Sequence, residues 1–360
     1  MNILHTESSN GWGGQEIRIL REAEGLRQRG YGIFFAIAKG GGLVAKAKEK
    51  GFTVYEINFK KRNAFFNIFK LLKIIHRHDI HVVNTHSSLD AWLGGIAARL
   101  SNKKIVRTRH LSTAIKKGIN SRLLYNTLAD FVVTTSSSII PMICSQSRLS
   151  PLFCRCIPTG VDPSLLQVQP EKVKKFREYL GVKEEEILVG TACFVRSWKG
   201  INDLLRTIQL LQGIKALKWV IVGGGHVSSY KIQAEEMHLS ELKFTGHLEN
   251  PYEAIAAMDI FALLSTANEG ISQSSLQAAY LQRPLITTTV GGLPEVCIHE
   301  KTGLLVPPFS PEKIAEAVVK LAENPALRTS YGQNAKRLVE EKFTFTETLN
   351  GMEAVLKHIL

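Results

Sequence analysis

Asn268-Glu269-Gly270-Ile271-Ser272-Gln273-Ser274-Ser275-Leu276-Gln277 decides how this chain is read. The apolar run 260–264 before it reads as a buried strand. Ala278, Ala279 and Leu281 continue it as a helix, so Glu269 falls in a strand-to-helix turn. Strand, tight turn and covering helix form the repeating unit of a parallel α/β sheet. The turn also offers chemistry. The amides of Gly270, Ile271 and Ser272 lie at the positive end of a helix dipole, which suits a phosphate, and the Glu269 carboxylate can accept hydrogen bonds from sugar hydroxyls. The plainer reading is a helix start capped by Ser272 or Ser274, with an exposed glutamate.

The same unit recurs on both sides of this turn. In the first half, strands are expected at 3–5, 31–38, 52–57, 81–85, 105–108 and 131–135. Helices are expected at 15–29, with Ile17, Leu20, Ala23 and Leu26 on its buried face, and at 43–50. Ile157-Pro158-Thr159-Gly160-Val161-Asp162-Pro163 interrupts the alternation with two prolines and a glycine, and marks a domain junction. The alternation restarts with strands at 187–193, 219–222, 243–245, 260–264, 285–288 and 303–306, and ends in helices at 311–323 and 326–341. The 360 residues therefore divide into an α/β domain at 1–160 and another at 161–340. Each is expected to be a doubly wound, Rossmann-like sheet, the two facing each other across a cleft that is the default binding site.

Composition narrows the setting. The chain is 44% hydrophobic, yet no apolar run approaches the ~18–20 residues of a membrane span. Its five cysteines form no C-x-x-C pair, so reduced thiols and a cytoplasmic location are expected. The net charge of +13 sits in the first half: residues 1–165 hold 24 Lys and Arg against 10 Asp and Glu, and residues 166–360 hold 21 against 22. Such a field favours an anionic partner, either a membrane surface or a charged substrate. The absence of RNA-reading aromatic motifs and zinc modules argues against nucleic acid. Segment 60–75, with Lys60, Lys61, Arg62, Lys70 and Lys73 among Phe65, Phe66 and Phe69, fits two readings. One is an interfacial helix on anionic lipid. The other is an ordinary covering helix with Phe65, Phe69, Leu72 and Ile75 in the core.

Other candidate groups stand at strand ends, where open parallel sheets bind ligands. Arg109-His110 directly follows the strand at 105–108, which puts His110 at a strand end. Arg196-Ser197-Trp198-Lys199-Gly200 places two cations between a strand and a helix, an arrangement that neutralises a diphosphate without a metal. Gly223-Gly224-Gly225 lets a backbone approach a ligand, although the G-x-G-x-x-G spacing is absent. Gly246-His247-Leu248 can line a base through its backbone. With no D-x-D motif and no His/Asp cluster, no metal cofactor is expected.

Glu269-Gly270-Ile271-Ser272, Gly291-Gly292-Leu293-Pro294-Glu295-Val296, Lys301-Thr302-Gly303-Leu304-Leu305-Val306-Pro307 and Ile157-Pro158-Thr159-Gly160-Val161-Asp162 together resemble the signature segments of family-4 retaining glycosyltransferases. The resemblance runs from Gly13-Gly14 to the C-terminal helices and implies the two-domain GT-B fold, with residues 341–360 packing back on the first domain. It implies that Glu269 holds a hydroxyl of the donor sugar, that Gly270, Ile271 and Ser272 meet the phosphates, and that Arg196 and Lys199 balance the diphosphate. It further implies that Gly13 and Gly14 approach the diphosphate and that His110 lies beside the transferred sugar. The family pattern usually has a second glutamate eight positions after the first; Gln277 stands there, expected to meet the ribose beside Gly223, Gly246, His247 and Leu248.

The function expected from these readings is transfer of a sugar, with retention and without metal, from a nucleotide-diphosphate sugar to an anionic or lipid-linked glycan acceptor such as lipopolysaccharide core. The protein is then expected in the cytoplasm, peripheral on the inner face of the cytoplasmic membrane. No carboxylate stands out as a nucleophile, Asp90 being the one unplaced candidate. Two alternatives remain at this level: a sugar-nucleotide epimerase of the same fold, and a non-catalytic, membrane-associated sugar-nucleotide binder.

Overall fold

A computed structural model describes residues 1–110, 113 and 115–360. The chain divides into two compact units, Met1–Thr159 with Thr346–Leu360, and Gly160–Phe345.

The first unit holds seven parallel strands: β1 (Asn2–Glu7), β2 (Gly32–Ala38), β3 (Thr53–Ile57), β4 (Val82–Thr85), β5 (Lys104–Arg109), β6 (Phe131–Thr134) and β7 (Cys154–Cys156). They lie in the order β3-β2-β1-β4-β5-β6-β7. The second unit holds β8 (Ile187–Ala192), β9 (Leu217–Val222), β10 (Leu242–Gly246), β11 (Ile260–Leu263), β12 (Leu285–Thr288) and β13 (Gly303–Val306), in the order β10-β9-β8-β11-β12-β13. Both are doubly wound Rossmann-like sheets. The order reverses between β1 and β4 in one and between β8 and β11 in the other, and crevices open at such reversals beyond the carboxyl ends of the strands. Parallel strands covered on both faces need apolar side chains throughout, and β4, β11 and β12 are buried at every position.

One expectation about a helix face is corrected, and one of two alternatives for another helix is ruled out. In the helix Gly14–Gln28, Ile17 is exposed, and the buried stripe runs through Arg18, Ile19, Glu22, Ala23 and Leu26. A buried ion pair turns the helix this way: Arg18 lies 3.3 Å from Glu22 and donates to the carbonyl of Ile157 and the hydroxyl of Thr159. In the helix Ala64–Arg77 the core takes Asn67, Leu71, Ile74 and Ile75. Phe65 and Phe69 are not core residues. Phe65, Phe66 and Phe69 are 77%, 67% and 55% exposed, because Asn67 donates to the Asn58 carbonyl and fixes the opposite face inward.

The last helix, Phe345–Ile359, covers the first unit with Leu349, Met352, Val355, Leu356 and Ile359 buried. Arg29 reaches its Glu353 at 2.6 Å, and Thr348 donates to the Pro158 carbonyl. Those five side chains, at about 1.5–3 kcal/mol each, match the ~5–15 kcal/mol of a whole domain. Deletion of residues 346–360 is therefore expected to leave the first unit open to limited proteolysis while 160–345 survives; equal resistance of both units would contradict this ledger.

Candidate functional site

Each unit gathers a polar constellation at its own sheet reversal. In the second unit, Glu269 is almost fully buried in the loop after β11. Its Oε2 accepts from Lys199 Nζ at 2.6 Å and from Ser265 Oγ at 2.6 Å, and its Oε1 takes no hydrogen bond from the protein among the described residues. One carboxylate oxygen is thus fixed and the other remains to accept.

The surrounding backbone is built to hold this carboxylate. Asn268 turns the chain with a positive φ of 52°. Gly292 N–H donates to the Glu269 carbonyl, and a Cβ on Gly291, at φ +58°, would stand 1.8 Å from that oxygen. Gly291-Gly292 therefore clamps the Glu269 turn. Thr266 N–H donates to the Trp198 carbonyl, lacing the loop after β8 to the loop after β11. Lys199 comes to Glu269 from that neighbouring loop, whereas Arg196 is exposed and stacks on Phe194 and Trp198 at 5.1 Å from each ring, with no carboxylate in ion-pair distance among the described residues.

The helix after Glu269 spans Gln273–Tyr280, with Ser272 as its N-cap and Ser272 Oγ accepting from Ser275 N–H. Gly270 and Ile271 thus precede the helix instead of opening it. On the far side of β8, Gly223 N–H donates to the Gly246 carbonyl at the paired ends of β9 and β10, with His247 and Leu248 next in the chain. Gly223 has a local reason to be glycine: a Cβ there would meet the Cys193 carbonyl at 1.9 Å. Gln277, half-buried in its helix, makes no side-chain hydrogen bond to the protein among the described residues.

In the first unit, His110 follows β5 and joins two imidazoles that sequence reasoning overlooked. His110 Nε2 lies 3.0 Å from His86 Nδ1, and His86 Nε2 lies 3.0 Å from His5 Nδ1. The ring centroids are 5.2 Å apart at each link, the distance two rings take when joined edge to edge. Burial holds His5 near 4, and burial with the neighbouring imidazoles and the charges of Arg18 and Arg107 holds His86 and His110 well below the ordinary imidazole range. His86 directly follows β4 as His110 follows β5, so the strand-end rule could have found it.

Asp90 is not available as a nucleophile. It is fully buried, and its two oxygens accept from Thr6, Ser8, His86 N–H and Ser87 N–H as the capping carboxylate of the helix Ser88–Leu100. Burial, then the charge of Asp90, raises the Glu7 carboxyl to about 7; Gln15 donates to it and to Ser87. Gly13 caps the helix Gly14–Gln28 and donates to Glu16. A Cβ on Gly14 would meet nothing within 4 Å, so no local packing asks for glycine there. Among the described residues no group of three His, Cys, Asp or Glu could hold a metal ion, and all five cysteines are free thiols.

The family described as Glycosyltransferase Family 4 matches residues 12–165, and that described as Glycosyl transferases group 1 matches residues 172–338. The chain is a glycosyltransferase of the GT-B fold. An uncharacterized glycosyltransferase of Methanocaldococcus jannaschii is 26% identical to this transferase over 328 residues, covering 84% of this chain and 80% of the relative. A glycosyltransferase from Rickettsia africae superposes with a TM-score of 0.91 at 20% identity, over 99% of this chain and 98% of that one. Anabaena HepE in complex with UDP does so with a TM-score of 0.88 at 20% identity, over 99% and 100%.

The imidazole chain is expected to make the transferase sensitive to acid. A histidine whose folded pKa is lowered contributes full stability above its unfolded value and loses it as pH falls towards the folded one. For His5 that window runs from 6.5 down to about 4 and is worth about 3 kcal/mol. Glu7 titrates in the opposite sense across part of the window, so the informative quantity is a difference. Wild type is expected to lose thermal stability relative to His5→Phe as pH falls from 6.5 to 4; parallel melting curves would show that His5 does not titrate in this way.

Proposed function

We propose that the transferase moves a sugar, with retention, from a nucleotide-diphosphate sugar to a glycan or lipid-linked acceptor such as lipopolysaccharide core, without a metal cofactor. The observation that carries this reading is Glu269, whose Oε2 is held by Lys199 and Ser265 while Oε1 stays open to a donor hydroxyl. Arg196 and Lys199 then neutralise the donor diphosphate with the amides of Gly270, Ile271 and Ser272. Gly223, Gly246, His247, Leu248 and Gln277 take the nucleoside. The first unit contributes Gly13, Gly14 and His110, and the open space at Gly14 supports close approach of a ligand.

In the proposed step the bond from the anomeric carbon to the leaving phosphate oxygen breaks. The acceptor oxygen bonds to that carbon on the same face, and its proton passes to the departing diphosphate. Electrostatic stabilisation of the diphosphate supplies the rate. Engagement of Asp90 as a cap leaves a double displacement without that carboxylate. Glu269→Ala is expected to lower kcat/KM at least 100-fold, the scale of a lost buried charged contact, with the fold kept but the melting temperature lowered because Lys199 loses its buried partner, and NMR of the wild-type product should show the donor's anomeric configuration. Full activity in the variant, or an inverted product, overturns the reading.

The acceptor side is proposed to work at an anionic membrane on the cytoplasmic face. Among the described residues no helix is long and apolar enough to cross a membrane. The exposed Phe65, Phe66 and Phe69 share a surface with Lys61, Arg62, Lys70 and Lys73, and residues 60–78 include no Asp or Glu. Aromatic rings entering the headgroup region with cations around them suit anionic lipid. In sedimentation with phosphatidylglycerol-containing vesicles, replacing Phe65 and Phe69 by Ser is expected to cut binding severalfold, and high salt should weaken what remains; unchanged binding of the double variant would remove this surface from the proposal.

A further inference from the structure

The end of β5 carries a second unexplained feature. Side chains alternate along a strand, so Arg107 and Arg109 share one face, while Thr108 points to the other and donates to Asn84. Both arginines line a cavity of about 380 Å³ with His86, His110, Gln15 and Lys116. Arg107 is only 3% exposed. It donates to the Ser87 carbonyl at 3.0 Å and lies 5.0 Å over the ring of Tyr125. Arg109 donates to the Tyr125 hydroxyl at 2.9 Å and to the carbonyl and hydroxyl of Thr113.

Every one of these acceptors is neutral. Among the described residues no carboxylate stands within ion-pair distance of either guanidinium, no acidic residue lines the cavity, and the Nε atoms of both arginines are buried without a partner. Asp90 feels the Arg107 charge from further away, but its oxygens are already taken by Thr6, Ser8, His86 and Ser87. The histidines offer no negative charge. Burying a guanidinium without a counter-ion costs several kcal/mol, and a second cation on the same wall adds repulsion. Tyr125 nevertheless holds both in place, one by its ring face and the other by its hydroxyl. Such preorganised forks match the planar oxygens of a phosphate or carboxylate.

We propose that this cavity binds an anionic oxygen group, phosphate or carboxylate, carried by the sugar acceptor, with Arg107 and Arg109 as its two forks. The acceptor assignment rests on the transferase reading above; the anion site itself does not. The cavity volume leaves room for a sugar ring beside the charged group.

The test uses the full chain labelled at arginine with nitrogen-15, titrated with inorganic phosphate and, separately, acetate while the Nε–Hε resonances are followed. Saturable shifts of Arg107 and Arg109 are expected with phosphate, acetate or both, and the stronger of the two identifies the group. Arg107→Gln and Arg109→Gln should each weaken the binding at least tenfold, and Arg337→Gln, on the exposed surface of the second unit, should not. If Arg107→Gln fails to fold, the half-buried Arg109→Gln carries the comparison. Shifts that do not saturate, or equal weakening by Arg337→Gln, overturn the site. Competition between phosphate and UDP for these arginines would assign the anion to the donor and overturn the acceptor. A chain that binds phosphate here yet transfers no sugar would remove the catalytic reading and leave the pocket.

Discussion

The Glu269 carboxylate, buried with a lysine on one oxygen and a serine hydroxyl on the same oxygen, is the constraint from which the second unit can be understood. A buried charge needs a partner and a fixed geometry, since an unpaired one costs several kcal/mol. Lys199 arrives from the loop after β8 and Ser265 lies two residues beyond β11, the two strands that meet at the sheet reversal. The Gly291-Gly292 segment after β12 closes on the Glu269 carbonyl from the other side. Three loops are therefore drawn together around one residue, two through its carboxylate and one through its carbonyl. Gly291 is glycine because a Cβ there would collide with the backbone it must touch.

The first unit answers the same problem with neutral groups. His5, His86 and His110 form a line of imidazoles from the sheet interior to the end of β5, and Asp90 spends its charge on a helix cap. Positive charge is consequently in excess there. Arg107 and Arg109 are held by carbonyls, hydroxyls and an aromatic ring, which orient a guanidinium without cancelling it. The sequence-wide surplus of positive charge in the first half thus has two different local expressions: an exposed basic and aromatic helix, and two cations turned into a cavity.

Much of this was legible in one dimension. The strand-to-helix turn at Glu269 and the cations Arg196 and Lys199 follow from apolar runs ended by glycine and polar residues, because parallel strands must be apolar on both faces. The Lys199–Glu269 contact joins residues seventy positions apart, and no periodicity signals it. His86 was missed because the strand-end argument was applied to His110 alone. The two readings of the helix Ala64–Arg77 stay open in the sequence for a different reason. Leu71, Ile74 and Ile75 offered one apolar stripe and Phe65 and Phe69 another, and hydrophobicity cannot rank two stripes.

By itself the sequence determined the alternation of strands and helices, the break near residue 160, the location of the positive charge and the turn that carries Glu269. Those properties are local, set by side-chain periodicity and backbone preference. Tertiary structure decided which oxygen of Glu269 is occupied and that Asp90 is a cap. It also decided that three imidazoles form one chain and that two arginines lack counter-ions among the described residues. Hydrogen bonding and charge pairing are settled between residues distant in the chain, and a buried polar atom acquires its meaning only when its neighbours are known.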